Sequence, residues 1–194
     1  MKRTCYQFTR RYCPPFTVLA SSVVVLMTAI LAPPAFGQHS GIQGKIAPEL
    51  KVDSWANLQK KSTKFRLKDH KGKVVFLYCF QAHCSGCRAS GFPRMKKLYA
   101  KYREDKQIQF VAIQTTFGSD TFDQAKNIMA EFGLDGMPLG HDTAQSGLPK
   151  TASAFQTGGT PWMAVIDKKG VVRANRFHID VDDATTLIER LKAE

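Results

Sequence analysis

The chain has 194 residues, 43% of them hydrophobic, and carries a formal charge of +12 from 28 Lys+Arg against 16 Asp+Glu. The basic residues are scattered and are not interleaved with aromatics, which argues against a nucleic-acid groove. No internal repeat or low-complexity tract breaks the chain.

The first 37 residues differ from the rest. Lys2, Arg3, Arg10 and Arg11 make a basic start without an acidic residue, residues 18 to 32 are apolar apart from Ser21, Ser22 and Thr28, and Pro33-Pro34-Ala35-Phe36-Gly37 ends the run. That order is a secretory signal pattern. The fifteen residues of this run span about 22 Å as a helix, short of the roughly 30 Å hydrocarbon core, so cleavage is favoured over a lasting anchor. Small residues at Ala35 and Gly37 place the cut before Gln38, and Cys5 and Cys13 leave with the segment. The expected location is exported, periplasmic or otherwise extracytoplasmic, with membrane attachment only through this segment if it stays uncleaved. The remaining 157 residues hold 24 Lys+Arg against 16 Asp+Glu, a net +8. They suffice for one domain with its own core, expected as a monomer over residues 47–194 after a flexible lead-in over 38–46.

Within the domain, Trp55 and Leu58 are expected to cover an edge of the core. The alternation in Phe65-Arg66-Leu67 predicts a half-buried strand, and Asp69-His70-Lys71-Gly72-Lys73 a turn. The apolar run 74–80, rich in β-branched and aromatic residues, predicts a strand buried on both faces. After three further residues come Cys84 and Cys87, and then Phe92, Met95, Leu98, Tyr99 and Tyr102 recur at helical spacing, predicting a helix over 85–103 kinked at Pro93. A second strand is expected over 108–113 and a helix over 121–132. Strand and helix in alternation imply parallel pairing. Between 133 and 157 the pattern predicts only a short helix over 149–155. Gly158-Gly159-Thr160-Pro161 then leads into a strand over 162–167, an Asp167-Lys168-Lys169-Gly170 turn, and a hairpin partner over 171–177. The closing helix is expected from Asp182, with Ala184, Leu187, Ile188 and Leu191 on one face behind an Asp182 or Asp183 cap.

The chemistry sits at the end of the 74–80 strand. Cys84 falls where the following helix begins, and unpaired amides with the positive end of the helix dipole favour its thiolate. Cys-X-X-Cys arrangements lower a cysteine pKa from about 8.5 to between roughly 3.5 and 7.5. One thiolate attacks and the other resolves. A zinc site needs four ligands, and no second Cys-X-X-Cys or His-X-X-X-His follows. A purely structural disulfide across so short a loop constrains the unfolded chain little. Cys79, inside the apolar run, reads as an inert core thiol.

In Gly72-Lys73-Val74-Val75, Cys84-Ser85-Gly86-Cys87, and Thr160-Pro161 before Val165-Ile166-Asp167, the chain resembles the thioredoxin-like superfamily. The likeness is strongest to its extracytoplasmic TlpA-like branch, grouped with the AhpC/TSA-related redoxin domains. The resemblance covers residues 47–194. It implies an α/β thioredoxin fold, a central mixed β-sheet flanked by helices, with an inserted helix-strand segment in the 73 residues between Cys87 and Pro161. It also implies a thiol-disulfide oxidoreductase of cell redox homeostasis, whose redox-active disulfide is Cys84–Cys87 and which needs no cofactor. Its partners would be protein thiol or disulfide substrates and a redox partner. Pro161 would be cis and lie against the cysteines, letting the Thr160 backbone pair with an extended substrate segment. Where relatives carry Trp before the first cysteine this chain has His83, and where they carry an acid or amide six positions before it this chain has Tyr78. A protonated His83 beside Cys84 would favour thiolate in a pH-dependent way. Peroxiredoxins place a proline seven and a Thr or Ser three residues before the peroxidatic cysteine; here those positions are Leu77 and Gln81, which leaves a thiol peroxidase as an alternative lacking its activating groups. Copper(I) delivery on the same fold, through Cys84, Cys87 and His178, is the other alternative. Ser85-Gly86 does not decide between reductant and oxidant, since potentials from about −270 to −120 mV share this spacing.

Overall fold

The computed structural model describes residues 41–59, 62–118, 120–144 and 146–194. The signal segment expected over 1–37 lies outside them. Strand β2 (Val74–Phe80) is buried at all seven positions. Because successive strand side chains point to opposite faces, Val74, Phe76, Tyr78 and Phe80 enter one core and Val75, Leu77 and Cys79 the other. On one side β2 pairs in parallel with β3 (Ile108–Thr116), and on the other antiparallel with β5 (Trp162–Ile166). β3 continues to a parallel β4 (Leu139–Thr143), β4 to an antiparallel β1 (Ser54–Ala56), and β5 to an antiparallel β6 (Val172–Phe177). The six-stranded order is β1-β4-β3-β2-β5-β6, a mixed sheet.

The two faces are covered differently. Helices α1 (Phe92–Tyr102), α2 (Phe122–Glu131) and α4 (Val181–Ala193) send Phe92, Met95, Leu98, Ala125, Ile128, Met129, Ala184, Ile188 and Leu191 into the Tyr78 face. The Cys79 face is closed by Ile42, Leu50, Phe65, Leu67 and Phe155, from irregular chain and the end of the short α3 (Lys150–Ala154). Among the described residues no helix is long and apolar enough to cross a membrane.

The expected helix over 85–103 becomes a widened π-turn, Cys87–Gly91, followed by α1. Pro93 has no N–H to give the Ala89 carbonyl and its ring crowds that position. The wider turn, closed by Phe92 N–H to the Cys87 carbonyl, absorbs the misfit.

Several expectations are corrected. Residues 65–67 form no strand: Phe65 and Leu67 are buried and Arg66 exposed as the alternation implied, yet the chain turns into a 3₁₀ segment, Leu67–His70. The Glu49 carboxylate accepts the Leu67 and Lys68 amides at 2.9 and 3.1 Å, and Phe65 stacks on the His70 ring at 4.2 Å. Trp55 belongs to an edge strand, β1, that the pattern did not predict; its partner β4 lies between Cys87 and Pro161, where the resemblance implied an inserted strand. Asp53 fastens this edge: its carboxylate accepts the Thr143 amide at 3.0 Å and hydroxyl at 2.7 Å and meets Lys150 Nζ at 3.0 Å. Thr143 first, and Lys150 after it, hold the Asp53 pKa down at about 2. The lead-in over 38–46 joins the domain from Gly41 onward, through Gly41 N–H to Gln156 O and Gly44 N–H to Val172 O, both 2.8 Å. β3 runs on to Thr116 through buried Gln114, Thr115 and Thr116. α4 begins one residue earlier than expected, after Asp180, which makes no side-chain cap bond; its carboxylate instead receives Arg94 at 3.1 Å.

Phe92 is the aromatic hinge of the Tyr78 face. It is fully buried, stacked on Phe132 at 4.9 Å and edge-on to Phe80 at 5.0 Å and Tyr78 at 5.4 Å. Phe92→Ala should cost about 3–5 kcal/mol in urea unfolding; a loss under about 1 kcal/mol would show that this cluster does not hold α1 to the sheet.

Candidate active site

β2 ends at Phe80, and a turn closed by Cys84 N–H to Gln81 O at 3.2 Å delivers Cys84 to the C-terminal edge of the sheet. The chain then winds at once, Arg88 N–H reaching Cys84 O at 3.1 Å. This points the Cys87 amide at the Cys84 sulfur, 3.1 Å away. Cys84 is partly exposed, Cys87 is fully buried, and both are free thiols. The Thr160–Pro161 bond is cis, and the pair lies against the motif: the Cys84 thiol donates to the Thr160 carbonyl at 3.5 Å, and a Cβ on Gly86 would sit 3.5 Å from Pro161 Cδ. The structure therefore brings Cys84, Cys87, Thr160 and Pro161 together.

The three thiols differ in acidity for identifiable reasons. Burial works to raise the Cys84 pKa, but the Cys87 and Thr160 side chains and the Cys87 and Gly86 amides outweigh it and bring it below the ordinary thiol value. Burial, with the Cys84 hydrogen bond next, pushes Cys87 up to about 12. Cys79, on the opposite face of β2, is driven far above the usual range by burial first and by Asp142 next. Of the three thiols among the described residues, Cys84 alone is accessible and disposed to ionise.

His83 is 68% exposed at its side chain and is turned toward Asp120, whose carboxylate meets Nδ1. The same carboxylate accepts the Ala82 amide at 3.1 Å, so Asp120 clamps both the backbone and the side chain just before Cys84. The groups that lower the Cys84 pKa are Cys87, Thr160 and Gly86, and His83 stands at the rim. Sequence reasoning missed Asp120, because an acid just before the Thr121 cap reads as ordinary helix-start chemistry. His178, in a left-handed conformation with φ 62°, places Nδ1 3.4 Å from Ser90 Oγ and packs edge-on to Phe177. Among the described residues no three His, Cys, Asp or Glu side chains gather as a metal site, so the copper set of Cys84, Cys87 and His178 is not assembled here. Leu77 is buried in the Cys79 face and offers nothing to a peroxide.

A mixed sheet whose central strand ends in a Cys-X-X-Cys turn facing a cis-proline defines a thioredoxin-fold redox protein. The sequence model of the AhpC/TSA family matches residues 43–175, and the chain belongs to that family, within the thioredoxin-like redoxin superfamily. It is similar to the thiol-disulfide oxidoreductase ResA of Bacillus thuringiensis (strain Al Hakam) and of Bacillus anthracis, at 34% identity over 129 residues in each case. The matched stretch spans 66% of this chain and 66% of those relatives' length. Among solved structures, a thioredoxin-like superfamily protein superposes with TM-score 0.68 at 31% identity, covering 77% of this chain and 97% of the other. A thiol-disulfide isomerase from Corynebacterium glutamicum gives 0.65 at 29%, covering 76% and 97%.

Iodoacetamide at neutral pH should label Cys84 well ahead of Cys87 and Cys79, read by peptide mass mapping of the reduced protein. Because the Cys84 pKa is lowered, its labelling rate should climb as pH rises through a midpoint below that of an ordinary thiol, while Cys87 stays slow until far more alkaline pH. Equal labelling of Cys84 and Cys87 at pH 7 would contradict the assignment.

Proposed function

We propose that the protein is a thiol-disulfide oxidoreductase that exchanges disulfides with protein substrates through a reversible Cys84–Cys87 disulfide. The observation that carries this reading is the asymmetry of the pair: an accessible Cys84 sulfur facing the Cys87 amide at 3.1 Å, above a fully buried Cys87. Cys84 thiolate attacks a partner disulfide and forms a mixed disulfide; Cys87 then strikes the Cys84 sulfur and releases the partner. The same steps run backward when the pair starts oxidised, and a separate thiol or disulfide partner resets it. Thr160, beside the Cys84 sulfur, is the backbone against which an extended substrate segment would align. The names carried by the Bacillus relatives and the Corynebacterium structure agree with this chemistry.

We further propose that the protein works outside the cytoplasm, on the strength of the basic, apolar and small-residue order of its first 37 residues. Amino-terminal sequencing of the native protein should begin at or near Gln38; an intact chain recovered from the cytoplasm would overturn this location.

Cys87→Ser should leave a substrate protein bound to Cys84 as a higher-mass species that reductant abolishes. Cys84→Ser should trap nothing comparable. Equal trapping by both variants, or a requirement for Cys79, would overturn the division of roles.

A further inference from the structure

Tyr78 lies on β2, on the face that also receives Cys87 and Phe92. It is wholly buried, and its hydroxyl has no hydrogen-bond partner at normal geometry. An unpaired buried hydroxyl is destabilising, and a phenylalanine would fill the same ring-shaped space against Phe80 and Phe92 without that cost. Packing therefore does not account for the oxygen.

The surroundings place that oxygen beneath the cysteine turn. A Cβ on Gly91, the last residue of the π-turn, would come within 2.4 Å of the Tyr78 hydroxyl and 2.8 Å of Pro161 Cβ, so the turn can close over the hydroxyl only with glycine there. Cys87 opens that π-turn, four residues before Gly91, and packs in the same buried cluster as Tyr78. Burial first, and the neighbouring Cys87 after it, push the phenol's pKa well above its ordinary value. It keeps its proton at any physiological pH, which rules it out as a base and leaves it as a donor. The titratable groups facing Cys87 are Cys84 from its own turn and Tyr78 from β2, while Cys79, on the other face of β2, is felt only as a charge through the sheet.

We infer that the Tyr78 hydroxyl donates a hydrogen bond to the Cys87 sulfur while that sulfur carries negative charge, and so eases resolution of the mixed disulfide. This rests on the exchange reading above. In the step, the Cys87 S–H proton is lost to the medium and its sulfur attacks Cys84 Sγ. The bond from Cys84 to the partner sulfur breaks and the Cys84–Cys87 bond forms. In this step the Cys87 sulfur is oxidised and the departing partner sulfur is reduced by the same amount and takes up a proton; over attack and resolution together the two cysteines give two electrons to the partner disulfide, and the phenol proton stays where it was. The resting hydroxyl lacks a partner because a neutral thiol is a poor acceptor; a thiolate is a strong one.

The test is Tyr78→Phe in the full chain, reduced and mixed with 5,5′-dithiobis(2-nitrobenzoate), which reports both steps by colour. The first equivalent of thionitrobenzoate measures attack by Cys84 and the second measures resolution by Cys87. The first phase should be unchanged. The second should slow about tenfold, the scale of one hydrogen bond to a charged group, with its pH midpoint moved upward and the melting temperature equal or higher. An unchanged second phase and pH profile would overturn the inference, as would a lower melting temperature with both phases slowed, which would make the hydroxyl a structural prop. A parent protein that releases no second equivalent would instead overturn the exchange reading, and this inference with it.

Discussion

The site depends on one contact, the Cys87 amide directed at the Cys84 sulfur at 3.1 Å. That contact exists because a strand buried on both faces stops abruptly at Phe80 and the chain winds into a helical turn four residues later. Packing on each side of β2 fixes where the strand ends, so the turn has little freedom in where it sets the two sulfurs. Pro93 adds a second constraint: the π-turn it imposes brings Gly91 against Tyr78 and Pro161. The cysteine pair is thereby held between the sheet below and the Thr160–Pro161 segment beside it.

Three thiols within nine residues show how far environment separates like groups. Cys79 and Cys87 are both fully buried, on opposite sides of the sheet, and both lose acidity chiefly to desolvation. Cys84 is also penalised by its partial burial, yet amides and neighbouring side chains converge on it and reverse the sign. In the proposed exchange, attack and resolution would be divided by accessibility as much as by acidity. Among the three thiols of the described residues only Cys84 meets solvent, and Cys87 is sheltered beneath it, with its amide directed at the Cys84 sulfur.

Much of this was legible in the sequence because the central elements carry strong periodicity. The 74–80 run, the helical spacing from Phe92 onward, the helix expected over 121–132 and the Asp167-to-Gly170 turn each correspond to an observed element. The edge of the sheet was not legible. β1 has three residues and β4 reads Leu-Gly-His-Asp-Thr, too short and too polar to alternate. Gly140 in β4 is there for space, since a Cβ would come within 2.6 Å of Ile113 Cδ1, a requirement invisible without the fold. Phe65-Arg66-Leu67 mimicked a strand because burial alternates there, while Glu49 captured the amides a ladder would have used. At the site, Cys84, Cys87, Thr160 and Pro161 were legible from local patterns. Asp120 was not, because its role comes from a contact across 37 residues with His83.

The central claim is that Cys84 and Cys87 form one reversible two-electron couple from which Cys79 is excluded. A redox titration in glutathione buffers, quenched in acid with each thiol then mapped by differential alkylation, tests it most directly. The account predicts a single two-electron transition in which Cys84 and Cys87 disappear together while Cys79 remains reduced throughout. A transition that consumes Cys79, or one that ends with glutathione on Cys84 and a free Cys87, would contradict it.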